Sequence, residues 1–393
     1  MSTIKVNKIE NTATSNGGIA IDASGHVQID GVQLPNDGTL SNRNLIINGA
    51  MQVAQRGTSA TGVGNGDTGY NTVDRIKWAE SGAPTCEFTI SQSTTAPDGF
   101  SNSYRLDTTT AQSSIAAADA VYIDHRIEAQ NLQQLAYGTS AAKSITISFY
   151  VKSTVTGTYA VWLYNQDGGA ACTNTYTISS ANTWEYKTFT VAGDTSNSIN
   201  NDNGTGLFVR FVLCAGTDFT SGTASATWAS ASVTDSNRFV GHTANIANAT
   251  SDDWAITGVQ LEVGEKSSSF EHRSYSDELQ RCLRYYNMVA EGSGAPISNM
   301  QLYASNNFYG VYRFPVAMRS APTVDATDAS NHFQLFSGGN GDSFDTIFLT
   351  NAQTNAVEFR GTSSEGLSGR TAGHAAWARC NNAAAHIALD AEL

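Results

Sequence analysis

Paired carboxylates, histidines and aromatic rings are the groups in this sequence that could act on a ligand or hold one. Hydrolysis of a glycosidic bond needs two carboxyl groups roughly 5–10 Å apart. Asp252, Asp253, Glu262 and Glu265 offer such a set, but any acidic chain does, so they mark no site by themselves. The seven histidines are scattered and none precedes a glutamate, so the H-E-x-x-H pattern of a zinc hydrolase is absent. Neither a G-x-x-x-x-G-K-[ST] phosphate loop nor a G-x-S-x-G nucleophile elbow occurs. Asp202-Asn203-Gly204, and Asn340 with Asp342, set oxygens around turns, yet they depart from the spacing of a calcium loop and read as solvent loops. The expectation is a protein that is not an enzyme, with no catalytic residue, no bound metal and no cofactor.

Holding a sugar asks for less: exposed aromatic faces with amide or carboxylate hydrogen bonds beside them. The six tryptophans and fifteen tyrosines could supply them, although most tryptophans belong in a core. Tyr303, Phe308, Tyr309 and Tyr312 form the densest aromatic group in the C-terminal part. They are the candidate receptor-contact residues.

Composition narrows the partners. The net charge of −13 repels phosphate and excludes nucleic acid as a partner. No apolar run reaches the roughly 20 residues of a membrane span, and the first residues lack the apolar core of a signal peptide. Membrane insertion is therefore not expected, and the chain reads as one made in a host cytoplasm. Cys86, Cys172, Cys214, Cys282 and Cys380 include no C-x-x-C, which suits buried reduced thiols. Charged residues are only 15% of the chain, against about a quarter in an ordinary domain. With so many Thr, Asn and Gly, strands and turns are favoured over helices.

The elements that must position these groups follow from periodicity. Residues 1–40 hold a hairpin signal, Ile19 to Val32 around an Ala-Ser-Gly turn. They are too few to bury a core, and read as an extended N-terminal anchor in which Ile4, Val6 and Ile9 are the contact candidates. From 41 to 273, about eight apolar runs recur without helices between them, among them Ile145 to Val151 and Leu207 to Leu213. This pattern predicts an antiparallel jelly-roll sandwich. Residues 274–290 predict a short linker helix, capped by Ser274, with Asp277 and Glu278 in its first turn. Its apolar stripe is Leu279, Cys282, Leu283 and Tyr286; the stripe packs on its own domain or around a three-fold axis. Residues 291–393 predict a smaller β-sandwich, so the fold class is all-β.

Three separated motifs carry a resemblance. Asn44-Leu45-Ile46-Ile47-Asn48-Gly49, with Gln55-Arg56-Gly57 and Asp74-Arg75, resembles the opening of a domain common in bacteriophage tail-fibre and minor virion structural proteins. Gly258 to Gly264, with Phe270-Glu271-His272-Arg273 and the following helix, resembles its close. Phe314 to Thr323 resembles the segment that often comes next, and the leader Thr3 to Ile9 is similar to those of phages of marine bacteria. One departure is Ile76-Lys77 between Arg75 and Trp78, where the family more often has Trp directly after Arg. The resemblance implies a homotrimeric fibre in the virion tail. Its N-terminus would dock on tail or adaptor proteins, a carbohydrate-module-like jelly roll would lie in the middle, and a distal tip would bind a host-surface glycan or protein. A capsid decoration protein is the second reading and a glycan depolymerase the third.

Overall fold

The computed structural model describes residues 8–10, 18–21, 27–29, 32–33, 41–304, 306–327, 329, 331–344, 346–362 and 371–393. The chain is all-β, as its turn-rich composition requires, and divides into two compact units. The first comprises residues 1–51, 61–69 and 77–272, the second residues 52–60, 70–76 and 273–393. Two segments that fall within the sequence-defined jelly roll, 52–60 and 70–76, thus belong to the C-terminal unit. No helix among the described residues is long and apolar enough to cross a membrane.

Within the first unit, two antiparallel sheets make the jelly roll. One runs in the order Ala170–Ile178, Gly157–Asn165, Thr205–Ala215, Ala120–Glu128, Lys77–Ser81. The other runs Glu185–Val191, Ile145–Ser153, Asp253–Val263, Ser103–Thr110, Glu87–Ser93. Phe149 bridges the sheets edge-on to Phe211 at 5.0 Å and to Tyr176 at 5.1 Å, and Trp78 meets Phe88 at 5.1 Å. The 205–215 strand is buried on both faces because residues 216–250 fold back over its outer side. There Phe219 and Phe239 pack on Tyr122, Trp162 and Val212. Arg210, on that same face, meets Asp124 in a buried bidentate pair at 2.7 and 2.8 Å. A short 3₁₀ segment, Ala129–Leu135, follows the 120–128 strand.

The opening and closing motifs of this unit are one assembly. The Asn44 side chain donates to Val259 O and accepts from Ile46 N and Leu261 N. The Glu271 carboxylate accepts from the backbone N–H groups of Arg43 and Asn44. At Gly49 a Cβ would lie 2.1 Å from Val259 O, so only glycine permits this approach. Near the N-terminus, Gly18–Ile21 pairs with Lys8–Glu10 and with Val27–Ile29, which contains the expected hairpin. Ile9, Ile19 and Ile21 are exposed there; Ile4 and Val6 lie outside the described residues.

In the second unit a three-stranded sheet, Tyr286–Glu291, His386–Asp390, Thr323–Ala326, accompanies a seven-stranded one. The latter runs Asn340–Phe344, Phe333–Ser337, Ala375–Cys380, Pro296–Leu302, Asn307–Arg313, Ala356–Thr362, Thr346–Thr350. Leu302, Phe308, Phe333, Leu335, Phe359 and Ile387 are core residues between them. The stretch Ser337 to Asp342 is not the open loop its composition suggests. Ser337 pairs with Asn340 around Gly338-Gly339, both at positive φ, which closes a tight two-residue hairpin.

The helix is shorter than its pattern. It spans Tyr275–Leu283 with Ser274 accepting from Asp277 N as its cap. Tyr286 lies on a strand instead, because pairing with His386–Asp390, a hundred residues away, overrides the local helical period. Cys282 and Glu278 are the buried positions of the helix, while Leu279 and Leu283 are half-buried. Glu278 is tolerated there because Arg273 pairs with it at 3.1 Å.

Candidate functional site

The outward face of the seven-stranded sheet carries a cavity of about 440 Å³, within the roughly 300–1,000 Å³ of small-ligand sites. It is lined by Tyr303, Asn307, Phe308, Tyr309, Phe348, Glu358, Arg360, Gly361 and Thr362. Tyr303 sits where the 296–302 strand turns back; its N–H and that of Ala304 both bond Asn307 O. This fixes the backbone beneath a side chain that is 72% exposed at the rim. Tyr309 meets it edge-on at 6.0 Å and directs its hydroxyl to Gln301. Phe348 supplies a further exposed ring.

Strand geometry decides what each aromatic can do. Side chains alternate faces along a strand, so Phe308 and Tyr312 point to the core side while Tyr309 points outward. Phe308 is buried, packed against Phe344 at 4.6 Å. It also lines the cavity, and its ring packs over its cross-strand partner Gly361, where a Cβ would lie 2.2 Å from it. Tyr312 is not in the cavity. It packs against Phe359 and Phe314 and accepts from Asn287. Of the four sequence-selected aromatics, three therefore line one cavity and the fourth is half-buried, packed against the core.

The polar wall was missed in the sequence. Arg360 Nε donates to Glu358 Oε1 at 2.7 Å, and the Thr350 hydroxyl donates to the same oxygen at 2.7 Å. The hydrogen bond from Thr350, then that from Arg360, holds the Glu358 carboxyl below its ordinary range. Glu358 is the single carboxylate among the described lining residues. The legible signal was the alternation in Glu358-Phe359-Arg360, which sets both charges on one face of a strand.

The other acidic candidates serve the scaffold. Glu262 is buried, accepting from Ser268 N, Ser268 Oγ and Gln260 Nε2. Asp253 accepts from Arg105 and Thr154 N. The two lie nine residues apart on one strand, roughly 30 Å, too far for a shared glycosidic bond. Asp202 accepts from Gly204 N in a local turn, as a solvent loop does.

The residues define an all-β protein whose first unit is a jelly roll and whose second bears an aromatic-lined, charged cavity. No protein-family model and no curated relative matches the sequence. Among solved structures, the enzymatically active domain of bacteriophage CBA120 tailspike protein 4 is similar at 13% identity and a TM-score of 0.28. That match covers 52% of this chain and 21% of that one. A family 4 carbohydrate-binding module aligns over 56% of this chain and 99% of its own, at 13% identity and a TM-score of 0.25. A structure described as a sugar-binding protein from Bacteroides thetaiotaomicron aligns over 57% of this chain and all of its own, at 12% identity and a TM-score of 0.30.

Proposed function

We propose that this protein is a non-enzymatic phage tail fibre, a homotrimer in the virion, whose C-terminal unit binds a host-surface glycan in the cavity around Tyr303. The observation that carries the glycan reading is the convergence of Tyr303, Tyr309 and Phe348 with Asn307, Glu358 and Arg360 in one cavity. The apolar C–H face of a pyranose lies on an aromatic ring, and its hydroxyls need donors and acceptors at the edge, which is this composition. A carboxylate kept ionised accepts hydroxyl hydrogen bonds; it does not serve as the raised-pKa acid that glycosidic cleavage requires. The particle assignment rests on the motifs from Asn44 to Gly49 and from Gly258 to Tyr286. Weak sites on three copies would act together on a cell surface.

The test is a glycan array with the purified chain, followed by titration calorimetry on any glycan it captures. Tyr303→Ala and Arg360→Ala are each expected to weaken binding about tenfold, with no sugar released by the wild-type protein. Unchanged binding in both variants would remove the cavity from the reading, and release of sugar would replace it with an enzyme.

A further inference from the structure

The cavity occupies one end of a longer outward surface. Directly opposed residues in an antiparallel sheet share a face, so the register maps that surface. Phe336 opposes Trp377, and Trp377 opposes Asn299. Gln301, two residues on and thus on the same face, opposes Tyr309; Tyr309 opposes Arg360, and Arg360 opposes Phe348. The intervening residues Met300, Phe308, Phe359, Ala376 and Ala378 are buried in the core. At the end remote from the cavity, Trp377 is 40% exposed and stacks on Phe336 at 4.8 Å with the planes 14° apart. The Arg379 guanidinium lies 4.3 Å over the Phe336 ring. Its Nε and Nη2 both donate to the neutral Gln334 Oε1, and no carboxylate pairs with it among the described residues. An Arg presented this way on a chain of net charge −13 is a local attraction for an anion.

We infer that the Trp377–Phe336–Arg379 cluster is a second subsite of the same binding surface, and that the ligand is an acidic oligosaccharide laid across the strands. Five strand-to-strand steps separate Phe336 from Phe348, roughly 24 Å at about 4.8 Å each. No mono- or disaccharide covers that distance. Sugar rings rest on Trp377 and on Tyr309 or Tyr303, the amides of Asn299 and Gln301 meet hydroxyls between them, and a uronate or sulfate group lies at Arg379. This rests on the glycan reading of the cavity.

An array of neutral and of uronate- or sulfate-bearing oligosaccharides, graded in length from disaccharides upward, tests it with the full chain. Wild-type affinity is expected to rise with length, and to rise further for acidic members. Trp377→Ala should cancel the gain from length, about tenfold. Arg379→Gln should weaken acidic ligands and spare neutral ones. Hydrogen exchange of the 375–380 strand, compared among the proteins, separates lost contact from lost fold, and Trp377→Phe keeps a ring on the strand and should retain most of the gain. If wild-type affinity is flat with length, or Trp377→Ala binds long chains as the wild type does, the second subsite is wrong while the cavity stands. If Tyr303→Ala and Arg360→Ala are also without effect, or no saccharide binds, both readings fall.

Discussion

At the residue scale, two histidines respond to pH in opposite senses. His386 Nε2 lies 3.3 Å from Asp325 Oδ1, and the Tyr286 hydroxyl donates to Asp325 Oδ2. The Asp325 hydrogen bond raises His386 above its ordinary value of 6.5, with Glu291 adding to the effect; the same bond lowers Asp325 below 3.8. A raised histidine contributes stability that is full below pH 6.5 and lost as pH climbs through the folded value. The lowered carboxyl contributes stability above pH 3.8 that is lost on further acidification. His242 in the jelly roll is the converse: burial depresses it to about 4. Its contribution is full above pH 6.5 and is lost as pH falls toward 4. Hydrogen-exchange mass spectrometry between pH 5 and 8, corrected for intrinsic rates, should show strand 386–390 loosening toward the alkaline end. The loop around His242 should loosen toward the acid end, and Asp325→Asn should abolish the first trend alone. Parallel trends in both regions would refute the assignment.

At the scale of elements, close strand packing around the cavity depends on two glycines. Besides Gly361 over Phe308, Gly310 would place a Cβ 2.2 Å from Asn299 O. Gly361→Ala must therefore push the Phe308 ring or its own strand aside. The expected result is a loss of about 1–3 kcal/mol in urea unfolding together with weaker saccharide binding. A variant that binds normally would show that this packing does not matter to the cavity. Ser274→Ala, by contrast, should cost only about 1 kcal/mol through the lost cap and leave binding alone. These elements also show where sequence reading succeeds and stops. The jelly-roll strands, the Ser274 cap and the Tyr303–Tyr309 pair were legible because each is a local pattern: alternation, a capping pair, adjacent aromatics. The strand from Tyr286 was not, since its partner lies at His386–Asp390 and a helical period continued through it. Tyr312 was misplaced for a related reason: composition finds an aromatic cluster, but only the strand's two-residue period tells which rings share a face. Arg360 was not singled out, and Trp377 was not set apart from the other tryptophans, because their common surface is created by register between strands distant in sequence.

For the whole molecule, the division of the chain has a chemical basis in a buried ion cluster. Arg56 reaches Asp390 at 3.2 Å and Glu392 at 3.4 Å, with its guanidinium 3.5 Å over the Tyr286 ring. Arg75 pairs with Glu392 and lies 3.5 Å over Tyr285. Gln55 binds Asp74 twice, donates to Tyr286 O and accepts from Met288 N. The motifs Gln55-Arg56-Gly57 and Asp74-Arg75 therefore complete the C-terminal unit, although they stand more than two hundred residues before its first strand. Both arginines are buried, and removing one partner of a buried ion pair costs about 3–5 kcal/mol because the other charge is left uncompensated. Glu392→Gln should lower the urea-unfolding stability of the C-terminal unit by an amount of that order, while exchange protection in strands 145–153 and 253–263 stays as in the wild type. A fragment starting at residue 273 lacks both arginines and Gln55, so it should expose Tyr285 and Tyr286, leave Glu392 unpaired, and show no cooperative unfolding transition. Supplying residues 52–76 at its N-terminus through a flexible linker should restore the transition. A fragment that unfolds cooperatively without them would mean that the ion cluster is dispensable and that the C-terminal strands alone define the unit.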